Sequence, residues 1–326
     1  MSMHTEITVL KHIMAVRLDV NIWSARKKLV HSDLGEAELP PENLASLGNK
    51  KICDPKELSI FNALKGRATS LLDKHGIRFL GGWALPEQKI QEVQDGLLEI
   101  ARNFNEAKEI FLNRYDTLVQ EWINSNPGWE SLIATSAVSA KYVRSRLGFS
   151  WQVYKITPPT QKNEQVSSGL QDAVKDLGCT LFGEVAKTAS ESWKKSFAGK
   201  TDVTRKALSP LKALHGKLSG LSFVEPRVVP VINLLESAFA MIPARGRIRG
   251  SELIMLQGLI CLLRDPTALI EHAQKILEGN TPDDILQGLL SNHEPLSLKD
   301  TQAVEDHPKP SQTSVQNVPV DSLGLW

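Results

Sequence analysis

Apolar positions recur every seven residues through the stretch from Leu85 to Asn126. Ile90, Leu97, Phe104, Phe111 and Leu118 hold one seam position, and Val93, Ile100 and Ala107 hold the other. A seven-residue apolar repeat is the pattern of a helix packed lengthwise on another helix. At about 1.5 Å per residue, roughly 40 residues make a rod of about 60 Å. Such a rod is one arm of a helical hairpin, or half of an intermolecular contact. Near its end the seam changes phase: Arg114 and Glu121 fall on expected apolar positions while Tyr115 and Trp122 take over the stripe. A four-residue step of this kind is a stutter, which relaxes the supercoil and turns the stripe toward a new partner. Asn124-Ser125-Asn126-Pro127-Gly128 then stops the helix.

The partner arm precedes it. Asp54-Pro55-Lys56-Glu57 reads as a helix start: Asp54 accepts from free backbone N–H groups, Pro55 needs no partner, and Glu57 reaches back. Leu58, Phe61, Leu64, Ala68, Leu71 and Leu72 form the apolar stripe, and Gly76 ends it as a left-handed cap. Arg78 to Pro86 reads as the hinge between the arms. Gly81 and Gly82 permit the turn and Trp83 plugs the hairpin base; a docking loop for a partner is the alternative. The loop lacks the Gly-Lys-Ser/Thr of a phosphate-binding P-loop.

Strand-like alternation appears twice, near residues 14–23 and 149–157, the second with a bulge before Tyr154 and Ile156. The two strands are expected to pair, since a lone strand leaves its backbone groups unsatisfied. The connector from 31 to 53 is too long for a turn and is expected to wrap the body. Residues 129–146 read as one helix. Further helices are expected over 165–198, 202–221, 227–242, 251–264 and 266–278, with a weak one over 283–290. Beyond about 295 the chain is Pro-, Ser- and Gln-rich and acidic, so disorder is expected, with Leu323, Leu325 and Trp326 as an apolar end that could dock on a partner. The fold class is therefore mainly α (α+β): long antiparallel helical hairpins, one small two-stranded antiparallel sheet and a disordered C-terminal tail. The expected domains are 1–160, a strand plus the long hairpin; 161–290, helical; and 291–326, the tail.

Composition narrows the chemistry. The formal net charge of the 326 residues is +1, so no global field draws nucleic acid or membrane. Aromatics at 6% disfavour a β-sandwich or propeller. Cys53, Cys179 and Cys261 are odd in number and far apart, which fits free buried thiols in a reducing cytosol. The N-terminal residues hold no apolar run of signal-peptide length, and no run of membrane-spanning length occurs, so a cytoplasmic protein is expected. No HExxH, GxSxG or GxGxxG pattern is present, and no catalytic, cofactor or metal residue is assigned.

Basic residues supply the remaining candidates. Around the second pair of helices, Lys194, Lys195, Lys200, Arg205, Lys206, Lys212 and Lys217 face only Glu191 and Asp202, a local balance of +5. Base-stacking aromatics are not interleaved with them, so both nucleic-acid contact and a solvated face fit. Arg245, Arg247 and Arg249 lie on a glycine-flanked loop before a helix capped by Ser251, and could hold an anion or merely be a solvated connector. Arg26-Lys27-Lys28 reads either as a phosphate contact or as the solvated end of a strand. Trp83, Tyr115 and Trp122 are the candidate partner-binding residues.

Four stretches together carry a resemblance: Leu18 to Leu29, Lys51-Ile52-Cys53-Asp54-Pro55, Arg78 to Pro86, and Leu147-Gly148-Phe149. They resemble an uncharacterised bacterial family, domain of unknown function 3150, common in phages and integrative conjugative elements. The resemblance covers roughly residues 10–290. Relatives are typically encoded near a MoxR/CobS-like AAA+ ATPase and a von Willebrand factor A-type protein. It therefore implies a non-enzymatic adaptor of a MoxR-type ATPase system, with those two proteins as partners. The alternative is a nucleic-acid-binding accessory protein in the element's recombination or DNA metabolism.

Overall fold

A computed structural model describes residues 9–33, 47–157 and 164–291. The middle of the 31–53 connector and the whole tail, with Leu323, Leu325 and Trp326, lie outside the described residues. The described residues belong to one compact unit.

A four-stranded antiparallel sheet organises that unit. Its strands are β1 (Ile13–Asn21), β4 (Ile77–Phe79), β5 (Gly82–Pro86) and β6 (Gly148–Tyr154), in the order β4-β5-β1-β6. Two short ribbons accompany it: β2 (Arg26–Lys28) with β3 (Asn49–Lys51), and β7 (Asp202–Val203) with β8 (Ile248–Arg249). β1 pairs with β6 as expected, in an unbroken register from Ala15↔Tyr154 to Asn21↔Gly148. The expected bulge in β6 is therefore corrected. The two-stranded sheet is also corrected, because the stretch read as a hinge is itself a β-hairpin. Leu80 and Gly81 both have positive φ, 47° and 76°, which makes the tight turn that suits the twist of two strands. Gly82 then lets β5 lie against β1, since a Cβ there would sit 2.5 Å from the Val16 carbonyl oxygen.

The sheet has a core on each face. Trp83 and Leu85 of β5 and Val16 of β1 point into the first core, and Ile77, Phe79, Ala84 and Ile13 point into the second. Alternation along the strands makes this division. Leu18, Val20, Phe149, Trp151 and Val153 extend the first core toward the far edge of the sheet.

Over the first face lie α1 (Ser59–His75) and α2 (Ile90–Asn124). Asp54 caps the start, accepting from the Lys56 N–H at 2.9 Å, and Pro55 opens a 3-10 turn that leads into α1. Gly76 ends α1 in extended conformation, φ −130°, not as the left-handed cap expected. Glycine is required there by crowding, because a Cβ would meet the Ala84 carbonyl oxygen and the Leu85 side chain at 2.8 Å. The long helix is shorter than its repeat suggested: 35 residues, about 50 Å, with Leu85 and Pro86 given to β5. Its seam is as read. Leu97, Phe104, Phe111 and Leu118 are buried, and Ile90 is partly so. Phe61 meets Phe104 edge-on at 5.0 Å between centroids.

The expected single helix over 129–146 is two, α3 (Glu130–Ala134) and α4 (Ala140–Arg146). Ser139 starts the second by accepting from the Tyr142 N–H. These short helices, with Trp23 and Ile52, cover the far half of α2 from within the chain.

The second core is helical: α5 (Glu164–Ser192), α6 (Ser209–Gly220), α7 (Val228–Ala240), α8 (Ser251–Leu263), α9 (Pro266–Leu277) and α10 (Pro282–Ser291). The helix read as weak, α10, buries Ile285 and Leu286. All three thiols are free; only Cys53 is buried, whereas Cys179 and Cys261 are exposed, against the reading of three buried thiols.

Candidate nucleic-acid interface

The two basic stretches, about 45 residues apart in sequence, meet at one ribbon. β7 pairs with β8 through Asp202↔Arg249 and Val203↔Ile248. Local sequence explains how each strand reaches the other. α5 runs on through a π-turn over Trp193–Phe197, and Gly199, at φ 65°, turns the chain into β7. On the other side Gly246 and Gly250, at φ 95° and 63°, bracket β8. Val203 and Ile248 are buried, and they anchor the ribbon on the second core.

Lys194, Lys195, Lys200, Lys206, Arg245, Arg247 and Arg249 are exposed, and Arg205 is half-buried. Lys200, Lys206 and Arg247 line one shallow pocket of about 400 Å³, together with Ser196 and Thr204. Two of the arginines hold the site together. Arg247 pairs with Asp202 across the ribbon, and Arg205 donates to the Pro243 carbonyl oxygen. Gln257 of α8 donates to the carbonyls of Phe197 and Lys200 at 3.2 and 3.4 Å, which fixes the turn from the core side. Arg264 lies 5.5 Å over the Trp193 ring.

The basic run does not stay on one face. Lys217 donates to the Asp73 carbonyl oxygen at 2.7 Å and pairs with Glu184, tying α6 to α1. Lys212 lines a separate cleft with His75. Ser251 is not the cap expected: it is the first residue of α8, and Gly250 stands at the cap without a side chain to offer. Sequence reasoning missed Ser196, Thr204 and Gln257. The flanking glycines signalled the turns; no local signal marks Gln257.

Of the three candidate partner-binding aromatics, Trp83 and Tyr115 are buried within the chain and Trp122 is half-buried. Trp83 is buried in the first core, its indole N–H bonded to Asp73 at 2.7 Å and Arg78 stacked on its ring. Tyr115 is buried against Trp23 and Phe111. Trp122 is half-buried and donates to the Lys51 carbonyl oxygen. The phase change that placed the two on α2 is met by α3, α4 and Trp23 of the same chain.

The ribbon site presents guanidinium, ammonium and hydroxyl donors, with one carboxylate, Asp202, already paired. Guanidinium and ammonium donors gathered in this way can hold an anion. Among the described residues no group of three or more His, Cys, Asp or Glu could hold a metal ion.

The model of a family described as a protein of unknown function (DUF3150) matches residues 10–265. The chain belongs to the DUF3150 family. In this DUF3150 protein the match takes in the sheet, the long helix and both halves of the basic ribbon site. No curated protein and no solved structure matches the chain. Among the described residues of the DUF3150 protein, no single helix is long and apolar enough to cross a membrane.

Proposed function

We propose that this protein is a non-enzymatic, nucleic-acid-binding accessory protein of the cytoplasm that grips backbone phosphates with its β7–β8 face. The observation that carries the reading is the convergence: the two basic stretches meet at one ribbon, where Lys200, Lys206 and Arg247 line one pocket while Lys194, Lys195, Arg245 and Arg249 are exposed on the same stretches. Clustered lysines and arginines bind phosphate by releasing counterions, without regard to sequence. Exposed residues give a clean test. The combined variant Lys200→Glu, Lys206→Glu, Arg245→Glu and Arg249→Glu spares Arg205 and Arg247, which hold the ribbon. Oligonucleotide binding measured by fluorescence anisotropy at low salt should fall at least tenfold in the variant. Equal binding by variant and wild type removes the reading.

A second reading makes the chain an adaptor of a MoxR-type AAA+ ATPase, with a von Willebrand factor A-type protein as third component. The stretches that carry the resemblance favour it. Co-purification with the ATPase supports it; separate elution at micromolar concentration, with and without ATP, sinks it.

A further inference from the structure

We propose that the cleft between the β2–β3 ribbon and α4 is a second site, one that takes single-stranded nucleic acid. A base stacks on Tyr142 while phosphates meet Arg26, Lys27 and Arg146.

The cleft holds about 460 Å³. Ile52 and Val138 line it beside the polar Ser24 and Ser145, together with Arg26 and Lys27 from β2 and Arg146 from α4. Among the described residues no carboxylate lines it. Cations some 120 positions apart in sequence are thus gathered at one cleft, and the Asp33 carboxylate, outside its lining, lies within electrostatic reach of Lys27 alone of the three. Tyr142 is 44% exposed, and the Arg146 guanidinium lies over its ring at 5.2 Å. A half-exposed ring beside cations is what sequence-tolerant base stacking needs.

The backbone is bent to make the cleft. Ala25 is fully buried with φ 54°, a left-handed conformation that non-glycine residues rarely adopt. Its carbonyl accepts from the Ile52 N–H at 2.8 Å. That kink, four residues beyond the end of β1, leads the chain into β2, which pairs with β3.

Two features select the ligand. Basic residues continue along the ribbon beyond the cleft, where Lys28 and Lys51 are exposed while Lys50 pairs with Asp33. A track of that kind suits a chain of phosphates more than the single end of a free nucleotide. Stacking on Tyr142 needs an open base face, which a duplex keeps inside its own stack.

The test uses the full chain already carrying the four Glu substitutions in the β7–β8 face, so that binding left over belongs to the cleft. A fluorescein-labelled deoxythymidine oligomer is the probe. It should still bind at low salt, and adding Tyr142→Ala should weaken it about fivefold or more. Tyr142→Phe should restore it, because stacking needs the ring and not the hydroxyl. Tyr142 and Arg146 are exposed, so folding should survive, as a thermal melt will show. The proposal is overturned if the oligomer does not bind this background, or if Tyr142→Ala leaves binding unchanged. It is equally overturned if a duplex binds as tightly, or if a mononucleotide or polyglutamate displaces the oligomer as well as unlabelled oligomer does. Each of these can happen whether or not the β7–β8 face binds nucleic acid.

Discussion

The Tyr115 ring is buried between Trp23 and Phe111, but its hydroxyl only approaches the Val138 backbone and, among the described residues, has no hydrogen-bond partner of good geometry. Burial pushes its pKa up to about 12. A buried, unpaired hydroxyl costs stability, so Tyr115→Phe should be as stable as wild type or better by about 1 kcal/mol in urea unfolding. A loss of that size would mean that the hydroxyl is satisfied. His75 makes a pH-dependent counterpart. Burial, joined by Lys74, Lys89 and Lys217, holds its pKa below 6.5, against the pull of Glu92. Above pH 6.5 neither the folded nor the unfolded state takes up this proton. As pH falls below 6.5 the unfolded chain binds a proton that folded His75 refuses, and stability drops until the folded pKa is passed. The urea midpoint should therefore fall between pH 7.5 and 5.5, and less so in His75→Gln. An equal or steeper fall in the variant would contradict the assignment.

Among the elements, the long helix was the most legible, and for a physical reason. A seven-residue repeat survives any choice of partner, so Leu97, Phe104 and Phe111 could be placed in a core before the core was known. Phe104→Ala should cost about 3–5 kcal/mol through lost burial and a cavity. Melting like wild type would break the account of the seam. The cap at Asp54 was legible because its mechanism is local. The β4–β5 hairpin was not. Every residue from Gly82 to Pro86 is buried, so the strand shows no alternation, and β4 has only three residues. Its turn carries a test as well. Leu80 is 54% exposed and sits at φ 47°, where Asn before Gly is favoured. Leu80→Asn should gain about 1 kcal/mol, read from the urea midpoint. A lower midpoint would show that Leu80 packs against something. The same limit explains Trp83, Tyr115 and Trp122: a change of phase shows that a stripe moves, not who covers it. Here α3, α4 and Trp23 do.

For the whole molecule, a formal charge of +1 hides strongly uneven surfaces. The basic stretches at 194–206 and 245–249 were visible in sequence; their meeting was not, since it depends on two-residue strands brought together by the second core. Arg26-Lys27-Lys28 was equally visible, and equally ambiguous until α4 stood opposite. A central sheet with one core on each face joins these parts into one unit. The claim that this unit binds nucleic acid through phosphates has a direct test in the salt dependence of binding. Affinity for a labelled single strand would be measured with the full chain over a series of salt concentrations. The logarithm of the affinity should fall linearly with the logarithm of salt, with a slope of about −3 if four phosphates are contacted. A flat line, or no binding at the lowest salt, would contradict the account.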